Sequence, residues 1–259
     1  MRTHHGRHEF GQNFLTDRST ISTFVDLVSR THGPIVEIGT GDGALTLPLQ
    51  RLGRRLTGIE IDHRRAERLR QRTGPSTKIV TADFLRYRTP PEPHVLVGNL
   101  PFHETTPMLR RILRSPDWTD AVLLVQWEVA RRRAGVGGAT LMTAQWWPWY
   151  EFGLEGRVPA AAFRPRPNVD GGLMTVTRRE RPRVASARRQ EYQEFVRRVF
   201  TGRGRGLPQI LASAAPDLPR HRIKEWARRG GHSAARLPKD LGAEEWAELF
   251  GMRVRGGRE

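Results

Sequence analysis

The fold turns on residues 34–46, P-I-V-E-I-G-T-G-D-G-A-L-T. The apolar run up to Ile38 is a short strand with no polar alternation, as expected of a strand buried on both faces. It breaks on Gly39, Gly41 and Gly43, which let the backbone turn tightly and come close to a ligand. A helix is predicted over roughly 44–52. Strand, glycine turn and helix make the first half of a βαβ unit. Alone, a G-x-G-x-G is weak evidence of a ligand, because a structural turn also produces it.

The pattern repeats downstream. R-L-T-G-I-E-I-D (55–62) reads as a second strand and His63 to Arg72 as a second helix. T-K-I-V-T-A-D (77–83) and H-V-L-V-G-N (94–99) give strands three and four. Thr105 to Leu113 reads as a helix, and D-A-V-L-L-V-Q-W (120–127) as a fifth strand. Apolar strands alternating with helices predict an α/β fold, a parallel sheet covered on both faces. Upstream, Asp17 is placed to cap a helix with Ile21, Phe24, Val25 and Val28 on one face.

After Trp127 the pattern loosens. Arg131, Arg132 and Arg133 meet a loop with Gly135, Gly137 and Gly138, followed by T-A-Q-W-W-P-W-Y (143–150) and A-F-R-P-R-P-N-V-D-G-G (162–172). Gly172 to Thr177 reads as a last strand and residues 178–189 as a linker. From Tyr192 the apolar spacing is helical. The expected division is a catalytic domain over 1–181, with a basic arm at about 1–10, and a small helical domain over 182–259.

The 259 residues carry 44 basic and 27 acidic side chains, a formal charge of +17. Only three of the cations are lysine, which genome composition explains; the excess of cations over acids it does not explain. Polyanion binding does, because Lys and Arg neutralise phosphates and release counterions. Residues 185–259 hold 16 basic and 9 acidic residues, so the tail is denser in charge. There is no cysteine, which excludes disulfides, thiolate metal sites and a cysteine nucleophile. No apolar run approaches the roughly 20 residues of a membrane span. The first ten residues lack the apolar core of a signal peptide, so the expected location is cytoplasmic. His4, His5 and His8 lack a fourth ligand at metal-site spacing, and no metal is expected.

The chemistry gathers at strand ends. Glu60 closes the second strand, 21 residues after Gly39, where a carboxylate accepts the ribose hydroxyls of a nucleoside. Glu37 and Asp42 make the loop acidic, which suits a cofactor with a positive centre such as S-adenosylmethionine better than a pyrophosphate. Asp83 follows the third strand, placed to accept from an adenine amine, with Phe84 beside it for apolar contact. As a lone residue it reads better as a helix cap or a surface acid; the functional reading comes from its place on the same rim as Gly39 and Glu60.

Asn99-Leu100-Pro101-Phe102 ends the fourth strand on the same rim. A turn explains the Asn and the Pro but not the ring. Methyl transfer to an adenine amine explains all three. The Asn oxygen and the Leu100 carbonyl accept the two N–H bonds, the proline stiffens the turn, and the ring stacks on an extruded base.

These residues, with G-Q-N-F-L (11–15), resemble the ribosomal RNA adenine N6-methyltransferases. Q-W-E-V-A-R-R-R-A-G-V-G-G-A-T (126–140), 143–150 and 162–172 look like the actinobacterial Erm branch, which methylates an adenine of 23S rRNA and gives macrolide–lincosamide–streptogramin resistance. The resemblance covers about residues 8–178. It implies a Rossmann-like methyltransferase sandwich, S-adenosylmethionine as cofactor, and naked or assembling 23S rRNA as the partner of a monomer. It places Asn13 and the Leu15 backbone at the cofactor with Gly39, Gly41, Glu60, Asp83, Phe84 and Asn99. Phe102 stands where many relatives carry Tyr, and Phe163 is a candidate for the far side of the base pocket. Arg131, Arg132 and Arg133 are either RNA contacts or a solvated helix end. Trp146, Trp147 and Trp149 read as packing.

Three other functions fit parts of the pattern. The housekeeping small-subunit (16S) dimethylase shares the core but is disfavoured by Q-W-W-P-W and the short tail. A non-catalytic RNA-binding protein on this fold would not need Gly39, Glu60, Asp83 and Asn99 intact. DNA adenine methyltransferases resemble N-P-P-Y or D-P-P-Y more than N-L-P-F.

Overall fold

A computed structural model describes residues 13–256 apart from 232 and 234, with side chains to residue 253. The basic arm, His4, His5, His8, Gly11 and Gln12 lie outside the described residues. The elements run β1 (Phe14–Leu15), α1 (Arg18–Ser29), β2 (Ile35–Ile38), α2 (Thr46–Leu49), β3 (Leu56–Glu60), α3 (His63–Arg70), β4 (Thr77–Thr81), β5 (His94–Asn99), α4 (Thr105–Arg114) and β6 (Trp118–Gln126). There follow α5 (Trp127–Arg133), α6 (Leu141–Trp146), β7 (Tyr150–Val158), β8 (Phe163–Arg164), β9 (Gly171–Arg178), α7 (Arg189–Phe200), α8 (Leu207–Ala214), α9 (Arg220–Arg229) and α10 (Ala243–Gly256).

Seven strands form one sheet in the order β4-β3-β2-β5-β6-β9-β7. β2 to β6 pair in parallel, and β9 runs antiparallel to β6. The chain builds outward from β2 in one direction and from β5 in the other. Between them lies a topological switch point, where the strand ends leave a crevice for a ligand. β2 and β5 are buried throughout or nearly so, as their continuous apolar runs required, whereas the edge strand β4 buries Thr77 and Ile79 and exposes Lys78 and Thr81. Asp17 caps α1 by accepting from Thr20 N–H at 2.7 Å. Phe24 and Val28 are buried, with Ile21 and Val25 packed against the same core.

Two elements differ from expectation. The helix predicted over 44–52 starts only at Thr46 and tightens into a single 3₁₀ turn at Gln50–Leu52. Gly43 still has a left-handed φ of 88°, so the loop runs on past it. β7 went unread because it is an edge strand. Glu151, Glu155 and Arg157 are exposed on it, and Gly153 and Gly156 weaken the strand signal.

Compactness divides the chain into two units: the described part of Met1–Ala130 with Gly153–Arg178, and Arg131–Phe152 with the described part of Arg179–Glu259. Residues 131–152 therefore lie with the helices that follow the sheet, ahead of the 181/182 boundary in the sequence. The second unit has an aromatic core. Trp149 meets Tyr192 edge-on at 5.5 Å, Tyr192 meets Phe250 at 5.3 Å, and Phe195 meets Trp246 at 6.2 Å. Trp146 and Trp149 are buried here, and the Arg189 guanidinium lies over both rings.

Candidate active site

The glycine loop leaves β2 with its first turn open. A side chain at Gly39 would meet nothing within 4 Å, whereas one at Gly41 would press on the Phe14 ring at 3.0 Å. Both glycines have left-handed φ, 72° and 54°. Glu60 fixes this loop from the end of β3. Its Oε2 accepts from Gly41 N–H at 2.7 Å and its Oε1 from Asp62 N–H at 2.9 Å. The carboxylate is 1% exposed.

Glu37 is the second buried acid, and its Oε2 has no hydrogen-bond partner among the described residues. Burial, and secondarily the charge of Glu60, push its pKa up to about 8, with Thr46 pulling the other way. At neutral pH this carboxyl is therefore largely protonated.

The clamp residues follow β5. Asn99 donates from Nδ2 to the Asn13 carbonyl at 2.7 Å. Leu100 is buried and its N–H binds the Leu124 carbonyl at 2.9 Å. The Pro101 carbonyl accepts from Glu104 N–H and the Thr105 hydroxyl, which ties the turn into α4. Phe102 is half-buried and stands edge-on to Phe163, 5.9 Å between centroids. Phe163 is itself fully buried. It backs Phe102 and offers no open face of its own.

A cavity of about 330 Å³ joins these parts. Asn13, Leu15, Gly39, Gly41, Asn99, Leu100, Pro101 and Phe102 all line it, together with Glu37. Glu60, Asp83 and Phe84 are not among its lining residues. Asp83 sits two residues beyond β4, accepts from Leu85 N–H at 2.8 Å and faces Arg86 at 3.8 Å. Phe84 is 5% exposed, with the Arg111 guanidinium over its ring. On the same rim Ile61, directly after Glu60, is 46% exposed.

Sequence inspection missed three contributors. Phe14 lies against Gly41, and the Arg65 guanidinium covers the ring at 4.3 Å while donating to Asp42 at 2.6 Å. Arg72 also lines the cavity and donates to the Asp42 carbonyl at 3.0 Å. The signal for Phe14 was its place between Asn13 and Leu15. The signal for Arg65 was absent, because α3 is arginine-rich throughout.

The arginine run divides. Arg133 is buried and binds the Thr140 hydroxyl, Arg131 is half-buried beside the Val136 carbonyl, and only Arg132 is exposed. Among the described residues no group of three His, Asp or Glu is placed to hold a metal ion.

The sequence matches the family described as ribosomal RNA adenine dimethylase over residues 3–229. An rRNA adenine N-6-methyltransferase of Corynebacterium diphtheriae is 54% identical over 208 residues, 80% of this chain and 82% of that protein. The mycinamicin-resistance protein MyrB of Micromonospora griseorubida is 47% identical over 246 residues, 95% and 78% of the two chains. The crystal structure of the 23S rRNA methyltransferase ErmE superimposes with a TM-score of 0.85 at 32% identity, covering 93% of this chain and all of that one.

Proposed function

This chain belongs to the ribosomal RNA adenine dimethylase family, and from that premise we propose how its residues perform the reaction. The chain is an Erm-type enzyme: it methylates the N6 of an adenine in 23S rRNA and thereby confers macrolide resistance. S-adenosylmethionine is the donor. Among the described residues no helix is long and apolar enough to cross a membrane. We place the enzyme in the cytoplasm, acting as a monomer on naked or assembling rRNA.

The cavity fits the donor on two counts. Gly39 opens onto free space, and Glu37 holds an unpartnered buried oxygen that a cation would satisfy. Bound there, S-adenosylmethionine supplies an electrophilic methyl on a positive sulfur. Backbone at Asn13, Leu15, Gly39 and Gly41 would line it, and Glu37 would balance its charge. On the rim, Glu60 keeps lone pairs beyond those given to Gly41 and Asp62. It can therefore take ribose hydroxyls, with Asp83, Ile61 and Phe84 beside it for the adenine.

The single observation that carries the mechanism is the bond from Asn99 to Asn13. It spends one of the amide's two N–H groups on the Asn13 carbonyl and so turns Oδ1 away to accept. Oδ1 takes one N–H of the target amine and the Leu100 carbonyl takes the other. Both bonds draw the nitrogen toward tetrahedral geometry and expose its lone pair. Phe102 holds the base by its ring, steadied by Phe163. The nitrogen loses its proton only after it has become cationic, so neither a buried base nor a metal is needed. Titration with S-adenosylmethionine tests the cofactor site: saturable, one-to-one binding is expected. A chain that binds RNA but no donor would be a non-catalytic relative.

A further inference from the structure

The second unit treats its cations in two ways. On most of its elements they are neutralised. Arg183 pairs with Glu244, Arg188 with Glu191, Arg197 with Glu194, Arg236 with Glu245 and Arg253 with Asp217. On α9 and in the loop before α8 they are not. Residues 203–229 hold seven Arg or Lys and two acids, Asp217 and Glu225, and Asp217 is committed to Arg253. Among the described residues no ion pair engages Arg203, Arg205, Arg220, Arg222, Lys224, Arg228 or Arg229.

Three of these form a stripe. Arg220, Lys224 and Arg228 recur at a spacing of four, so they share one face of α9, and all three are exposed. The stripe is about 12 Å long at 1.5 Å per residue. It works against the helix that carries it. Like charges four residues apart destabilise a helix, and Arg220 and Arg222 stand in a first turn that has no acid and no side-chain cap. A groove of about 440 Å³ runs beside it between α8 and α9, lined by Gln209, Ser213, Arg220 and Lys224 and by the apolar Ala212 and Ile223. Gln209 Oε1 in turn accepts from the backbone N–H of Arg205, in the loop before α8, at 3.0 Å.

We propose that the α8–α9 groove and its Arg220–Lys224–Arg228 stripe bind the phosphodiester backbone of the RNA substrate, independently of sequence. A polyanion removes the repulsion along the stripe and complements the uncompensated first turn. Ser213 and Gln209 supply neutral partners for phosphate oxygens. The inference rests on the rRNA reading of the active site, and its test separates the two.

The experiment uses the full chain and a 23S rRNA transcript, with binding measured from 50 to 300 mM salt. The variant is Arg220→Gln/Lys224→Gln/Arg228→Gln. Affinity at 100 mM salt should fall about tenfold or more, and the slope of log K against log salt should flatten by roughly two to three. Turnover at saturating RNA and binding of S-adenosylmethionine should stay at the wild-type level, so the loss appears in KM for RNA. The melting temperature should hold or rise, because the substitutions remove like-charge pairs. Variant affinity within twofold of wild type at every salt overturns this inference alone. Failure of the wild-type chain to bind the transcript overturns the rRNA reading with it.

Discussion

Asn99 donates its side-chain N–H to the Asn13 carbonyl at 2.7 Å, so a residue 86 positions upstream decides which end of the Asn99 amide faces the cavity. Asn99→Ala should lose about a hundredfold or more in turnover, as removal of a transition-state hydrogen-bond partner does. Affinity for S-adenosylmethionine should stay within about tenfold. Asn99→Asp is the sharper variant. It keeps an acceptor for the target amine but turns a carboxylate oxygen toward the Asn13 carbonyl. It should lose turnover nearly as fully as Asn99→Ala, read by transfer of a labelled methyl group. Wild-type turnover in Asn99→Asp would show that the contact with Asn13 does not orient the amide.

Phe102 and Phe163 should separate by the quantity they change. Phe102→Ala removes a half-buried ring and should lower turnover, while Phe102→Tyr should be mild. Phe163→Ala empties a fully buried site and should destabilise the fold by about 3–5 kcal/mol, read by denaturant unfolding. An activity loss in Phe163→Ala with unchanged stability would mean that Phe163 touches the base after all.

Phe14 and Arg65 should act as one unit. Arg65 covers the ring that packs on Gly41 and follows Asn13 in the chain. Arg65→Ala should reduce kcat by about two- to fivefold, the scale of a partly exposed cation–π contact. In a Phe14→Leu background the same substitution should change little. Fully additive effects in this double-mutant cycle would place Arg65 outside the path to Asn99.

Glu37 makes donor binding depend on pH. Its folded pKa of about 8 lies above the model value of 4.5, so the folded chain holds a proton that the unfolded chain has lost between those values. Its contribution to stability is present in full below about 4.5 and is lost as pH rises through about 8. A positive ligand favours the ionised carboxyl. Affinity for S-adenosylmethionine should therefore rise between pH 6 and 8, with proton release visible by calorimetry in buffers of different ionisation enthalpy. Glu37→Gln should abolish both trends.

What was legible in the sequence follows from burial. β2, β3 and β5 are covered on both faces, so their apolar runs and the groups at their ends were plain: Gly39, Glu60, Asn99. Asn13, Leu15 and the four clamp residues line one cavity, while the pairing of Glu60 with Gly41 N–H depends on a loop conformation that spacing alone does not encode. β7 was lost because one side of an edge strand is solvated. Arg131 to Arg133 gave three equal cations in sequence, yet only helix geometry tells that Arg132 is exposed and Arg133 is turned inward to Thr140. Phe163 followed the same logic, since an aromatic residue in a proline-rich loop does not announce that it is buried.

The most direct test of the central claim is methylation of bare 23S and 16S rRNA by the wild-type chain with a labelled methyl donor, followed by primer extension to locate the modified base. Label in 23S rRNA with a stop at a single adenine is the predicted result. Label confined to 16S rRNA, or no label in either, would contradict it.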